Sequence, residues 1–233
     1  MALNYSGMIL AAGFGKRMMP LTKNLPKPLI DINGITLLDN AINFLKKLGC
    51  RQIIINTHYH SLKIEKSVNR RKDIHDIKLI YEKEILDTGG AVKNAIPYCK
   101  NDNLLIINSD IFWQKENIKD VQLLINNCLS KKLPYLLLVE KAKSFGMFKS
   151  EGDFILYKKK ILRFKKGQDI FFYSGLQMIT LDILNNFSKK KFSFNDVWDD
   201  LIIKEKLRGE IMKTNWYHVG DMKSLAIVKK LDP

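Results

Sequence analysis

Over residues 10–28 the chain reads LAAGFGKRMMPLTKNLPKP, which sets Gly13 and Gly15 directly before Lys16 and Arg17, and later sets Lys27 between Pro26 and Pro28. Glycines leave backbone N–H groups free to approach a polyphosphate. Arg17 offers a planar fork that can hold phosphate oxygens in pairs, and Lys27 a compact point charge on a backbone stiffened by its proline neighbours. Two familiar loops are excluded. A dinucleotide fingerprint needs a third glycine where Met18 stands, and a Walker loop needs Ser or Thr after its Gly-Lys, where Arg17 stands. What remains is a phosphate cradle with two fixed cations and no base or nucleophile beside it.

A second chemical group ends the apolar run NLLIIN at 103–108. Asp110 follows it, a hard oxygen ligand placed for magnesium at a strand end. A third is Gly89-Gly90 in LDTGGAV (86–92), where a helix N-terminus could come close to an anionic ligand.

These groups need a scaffold, and the hydrophobic pattern supplies one. Apolar runs at 7–12, 52–57, 77–82, 103–108 and 135–140 alternate with helical patterns at 36–49, near 60–71, at 88–99 and near 117–131. The runs are apolar throughout, as in strands covered on both faces, so the expectation is an α/β fold with a mostly parallel, Rossmann-like sheet flanked by helices. Ligands then belong at the carboxyl ends of the strands. Residues 146–179 change character and read as a small antiparallel insertion, turning at Gly152-Asp153, within one domain spanning 1–233. Helical patterns return at 195–207 and 221–231.

The 233 residues carry 39 Lys and Arg against 24 Asp and Glu, a formal charge of +15. The basic clusters at 70–72, 158–160, 163–166 and 189–191 lack interleaved aromatics and nucleic-acid motifs, so no nucleic-acid partner is expected. No apolar run is long enough to span a bilayer, and the three cysteines form no metal or disulfide pattern, so a cytoplasmic protein without a membrane partner is expected, as a monomer or small homo-oligomer.

The motifs L-x-x-G-x-G-x-R and P-K-P, with LDTGGAV, NSD (108–110), YSGLQMI (173–179) and WYHVGD (216–221), resemble those of the sugar-1-phosphate nucleotidyltransferases. FSFNDVWD (192–199) and INTHYH (55–60) bring the chain nearest to the branch acting on N-acetylmuramate 1-phosphate with UTP, with the mannose-1-phosphate guanylyltransferases close behind. The resemblance implies a nucleoside triphosphate and a sugar 1-phosphate as substrates, Mg2+ as cofactor, and a place in cell-wall sugar recycling. It implies Arg17, Lys27 and Asp110 as the catalytic set. Leu10, Ala11, Ala12, Gly13, Gly15, Lys16, Gly89 and Gly90 then surround the nucleotide, while Gly146, Gly175 and Asn195 face the sugar.

One position departs from the family pattern. Relatives carry a second metal-binding aspartate where this chain has His218. Asp110 and substrate phosphates could hold the ion alone, Asp221 could reach it, or His218 could contact phosphate. Asp221 also stands where a cap of the last helix belongs. The alternative to turnover is a protein that binds nucleotide sugars without catalysis.

Overall fold

In the computed structural model, which describes residues 5–231, nine strands form one twisted mixed sheet. They are β1 (Ser6–Leu10), β2 (Ile53–Thr57), β3 (Ile77–Tyr81), β4 (Asn103–Asn108), β5 (Tyr135–Glu140), β6 (Phe154–Tyr157), β7 (Lys160–Arg163), β8 (Phe171–Thr180) and β9 (Arg208–Ile211). Their order is β6-β7-β9-β5-β8-β4-β1-β2-β3, with β1, β2, β3 and β4 mutually parallel. Leu10 pairs with both Asn56 and Asn108, so three strand ends reach the same edge.

Alternate residues of the central strands enter different cores, which is why the runs are apolar throughout. Ile9, Leu105 and Ile107 pack with α1 (Leu37–Lys47), α2 (Ser61–Val68) and α4 (Asn117–Lys131). Met8, Leu104 and Ile106 pack on the other face with α3 (Asp87–Ala95) and α5 (Phe194–Ile203). A third, smaller core joins Met18 and Ile30 to Tyr217, Val219 and to Leu225 and Val228 of α6 (Met222–Val228). It anchors the cationic loop to the end of the chain.

The antiparallel segment expected over 146–179 belongs to this same sheet. β8 lies between β4 and β5, antiparallel to both, while β6 and β7 form a hairpin at the sheet edge. The hairpin turns at Lys158-Lys159, both with positive φ, rather than at Gly152-Asp153, which precedes β6. A one-turn mismatch of this kind is expected where lysines take the left-handed conformation that glycine would have signalled. β9 follows the helical pattern read at 195–207. That helix stops at Ile203, where Glu205 turns to φ 51°.

A small three-stranded sheet joins Ile111–Phe112, Trp216–His218 and Ser144–Phe145. No composition signal announced it, since its strands have two or three residues. It brings three distant segments together beside Asp110.

Candidate active site

The cationic loop leaves β1 and folds into short 3-10 turns at Lys16–Met18, Leu21–Lys23 and Lys27–Leu29. Gly15 has φ +65°, and its carbonyl accepts from Met18 N at 2.9 Å and from the Thr22 hydroxyl at 2.9 Å. A side chain at 15 would combine an unfavourable backbone with Cβ approaches of 3.0 Å to Thr22 and 3.2 Å to Lys27. Gly13, by contrast, faces open space.

Lys27 Nζ donates to Asp110 Oδ2 at 2.8 Å, and His218 Nε2 lies 3.5 Å from the same oxygen. Burial raises the cost of charge on Asp110, but the Lys27 ammonium and the His218 ring overcome it and hold the carboxyl well below the usual carboxylate range. The backbone of Asp110 is pinned as well, its carbonyl accepting from Val219 N at 2.8 Å. His218 stacks on Trp216, with ring centroids 5.4 Å apart, and Trp216 Nε1 donates to Ser174 O at 2.8 Å.

Two clefts open at this edge, about 370 and about 400 Å3, each large enough for a small molecule. The first is lined by Leu10, Ala11, Ala12, Gly13, Gly15, Lys16, Arg17, Lys27 and Asp110, most of the expected nucleotide set. The second contains Gly175, Asn195 and His218, with Lys149, Asp153, Arg163, Tyr173 and Trp198. They meet along Leu10, Arg17, Asp87, Thr88, Asn108 and Asp110.

Some expected site residues sit elsewhere. The N–H groups of Gly89 and Gly90 both donate to Phe192 O at 3.0 Å, and neither glycine lines a cleft. A Cβ on Gly89 would come within 2.5 Å of the Phe192 ring, and one on Gly90 within 2.4 Å of Lys190 O. These glycines let α3 pack against 190–194, and Asp87 and Thr88 at its N-terminus face the clefts instead. Gly146 is also a packing glycine here: its carbonyl lies 3.3 Å from His218 Nδ1, and a Cβ would sit 2.1 Å from His218 O. It positions His218 rather than lining the sugar-side cleft. Asp221 caps α6: its carboxylate accepts from Ser224 N at 2.8 Å, which lowers its carboxyl from the ordinary value, and its own N–H donates to Ser224 Oγ.

The sequence reading missed a buried polar chain under the first cleft. Asn56 Oδ1 accepts from Ala11 N at 2.9 Å, Asn56 Nδ2 donates to Glu82 Oε1 at 2.7 Å, and Glu82 Oε2 accepts from Leu86 N at 3.2 Å. Glu82 is only 3% exposed. The available signal was Asn56 and Glu82 closing two apolar strand runs, where an unpaired polar side chain would be costly.

Among the described residues no three His, Cys, Asp or Glu side chains converge as a metal cage. Asp110 remains a suitable oxygen ligand for Mg2+, which takes few protein ligands and completes its shell with phosphates and water.

A mixed α/β sheet with a cationic glycine loop and an anchored aspartate at its strand ends is suited to handling phosphates. The nucleotidyl transferase family model matches residues 6–232, and the chain belongs to that family of enzymes. It is 27% identical to an N-acetylmuramate alpha-1-phosphate uridylyltransferase of Caulobacter vibrioides over 221 residues, covering 92% of this chain and 91% of that one. It is 28% identical to a D-glycero-alpha-D-manno-heptose 1-phosphate guanylyltransferase of Campylobacter jejuni over 221 residues, covering 91% and 93%. The fold matches a putative glucose-1-phosphate thymidylyltransferase of Bacillus anthracis with a TM-score of 0.79 over 98% of this chain and 97% of that one, at 16% identity. The resemblance read from the motifs is thereby borne out.

Proposed function

We propose that this chain is a cytoplasmic enzyme that joins UTP and N-acetylmuramate 1-phosphate into the nucleoside-diphosphate sugar, releasing pyrophosphate. The observation that carries the proposal is the seam between the two clefts, where Arg17 and Asp110 line both spaces and Lys27, in the first, is paired to Asp110. The sugar-phosphate oxygen is already anionic, so no general base is needed. It forms a bond to the α-phosphorus as the bond from that phosphorus to the bridging oxygen breaks, and pyrophosphate leaves with the electron pair.

Catalysis then consists of alignment and charge neutralisation. Arg17 and Lys27 hold phosphate oxygens in line, and Ala11 and Ala12 leave room for the base. Gly175, at φ +81° in a bulge of β8 beside Asn108, keeps the wall of the sugar-side cleft thin. Asp110 would hold Mg2+ together with substrate phosphates, and the ion supplies further neutralisation of their charge when bound. Asp221, committed to its cap, stays out of that role, and His218 braces Asp110.

A second reading, GTP with a neutral sugar 1-phosphate such as mannose 1-phosphate, is supported by the nearly equal identity to the heptose 1-phosphate guanylyltransferase. Pyrophosphate release measured across UTP, GTP, CTP and dTTP with several sugar phosphates decides between them. The first reading requires UTP with N-acetylmuramate 1-phosphate to give the highest kcat/KM; turnover confined to GTP with mannose 1-phosphate would overturn it.

A further inference from the structure

The sugar-side cleft is lined by three cations, Arg17, Lys149 and Arg163, more donors than the single phosphate of a sugar 1-phosphate uses. Arg17 lies at the seam and serves the phosphates; Lys149 and Arg163 line the same cleft but not the nucleotide one. They mark its far end. Arg163 leaves β7 with its guanidinium 5.0 Å from the Phe154 ring centroid and 5.9 Å from that of Trp198. Its Nε donates to Asp199 at 2.7 Å and its Nη2 to Asn195 O at 3.1 Å. A guanidinium has five N–H donors in a fixed fork, so the Nη1 side remains for another acceptor. The stacking and the two hydrogen bonds hold that fork in place before any ligand arrives.

The acids around these cations each have partners already and leave donor capacity over. Asp153 gives one oxygen to Tyr173 N at 3.0 Å and the other to Lys149 Nζ at 3.3 Å, a long contact for an ammonium whose side chain is 59% exposed. Asp199 occupies the outer edge of Arg163 and does not line the cleft. Asp110 is already matched by Lys27, and Asp87 belongs to the seam.

We infer that the far end of the sugar-side cleft reads a second anionic group on the sugar, with Arg163 as the principal contact and Lys149 as its helper. The class of substrate is therefore a sugar 1-phosphate bearing a carboxylate or a further phosphate. This deepens the proposed function, since N-acetylmuramate differs from N-acetylglucosamine by a lactyl ether that ends in a carboxylate. It also gives a role to Arg163 of the cationic stretch 163–166, which composition alone leaves as surface charge.

The test compares two matched pairs in the intact enzyme: N-acetylmuramate 1-phosphate against N-acetylglucosamine 1-phosphate, and glucose 1,6-bisphosphate against glucose 1-phosphate. The wild type is expected to favour the anionic member of at least one pair in kcat/KM. Arg163→Gln should reduce that preference about 10- to 100-fold, the span of one or two charge-assisted hydrogen bonds, and mainly through KM. Lys149→Met should reduce it less. Each variant's rate on the neutral sugar, with its melting temperature, separates a lost contact from a damaged fold.

A preference for the bisphosphate alone would uphold the inference while overturning N-acetylmuramate as substrate. Preference for the neutral member of both pairs would overturn the inference and leave nucleotidyl transfer standing. So would an anionic preference that both variants leave unchanged.

Discussion

Asp110 shows how a single carboxylate is kept charged and in place. Its Oδ2 faces Lys27 at 2.8 Å and His218 at 3.5 Å, and its folded-state carboxyl binds protons more weakly than an ordinary aspartate. A group with a depressed folded-state pKa contributes stability that is present above its unfolded value, about 3.9, and lost as pH falls through the lower folded value. Asp110→Asn should therefore show a stability deficit relative to the wild type that is full at about pH 7 and begins to shrink as urea unfolding is carried from about pH 4 to below about pH 3. A deficit that stayed constant over that range would refute the charge-pair account. Over the pH range of ordinary assays Asp110 stays ionised, so any acidic limb of activity must come from substrate or another group. Arg17→Ala and Lys27→Ala should each lower kcat by about 10²–10³, the loss seen when one preorganised charge-stabilising donor is removed. Steady-state pyrophosphate release measures this, and less than a threefold loss in both would dismiss them as catalytic groups.

At the scale of elements, the glycines and caps separate what the motif shows from what only packing decides. Gly13, Gly15, Arg17, Lys27 and Asp110 could be singled out because spacing and residue type point to phosphate chemistry, and the structure brings all five to the same cleft. The glycine pair of LDTGGAV was misread because sequence does not show which neighbour a glycine meets. Here Phe192, a hundred residues away in the chain, fills the space. Asn56 and Glu82 were overlooked for the same reason, since their hydrogen bonds run between strand ends that only the sheet brings together. Gly90→Ala should consequently act on folding: its Cβ would meet a backbone carbonyl at 2.4 Å, which cannot move aside as a side chain can. Overpacking of this kind costs about 1–3 kcal/mol. Asp221→Ala should cost about 0.5–2 kcal/mol through its lost cap while leaving the magnesium dependence of rate as it was. Thermal melts and a magnesium titration of both variants check this, and a raised magnesium requirement in Asp221→Ala with an unchanged melting temperature would put that carboxylate back at the metal.

For the whole molecule, the charge of +15 divides into two populations that composition cannot tell apart. Within the cluster 70–72, Arg71 is bound to Asp39 and Asp73, which lifts its proton affinity and braces α1 against the segment leading to β3. Lys159 and Lys160 pair with Glu210 and Glu205 and tie the hairpin to β9 and its approach. These are structural contacts; the exposed Lys160–Glu205 pair is screened and small, while Arg71 and the buried Glu210 are partly shielded from water. Lys16 and Arg17 instead line the clefts, and Lys149 and Arg163 line the second while also pairing with Asp153 and Asp199. Cations that line a concave surface concentrate anions there, and that field weakens as salt shortens the screening length from about 10 Å at 0.1 M to about 3 Å at 1 M. Both proposed substrates are polyanions, so kcat/KM for each should fall at least about threefold as sodium chloride is raised from about 0.05 M to about 0.5 M, while kcat stays within about twofold because bound phosphates are held at short range. The fall should be steeper for the triphosphate than for the sugar phosphate, whose charge is smaller. If kcat/KM were flat across that range, the cationic lining would serve only local contacts, and the excess of positive charge over the rest of the surface would have no part in gathering substrate.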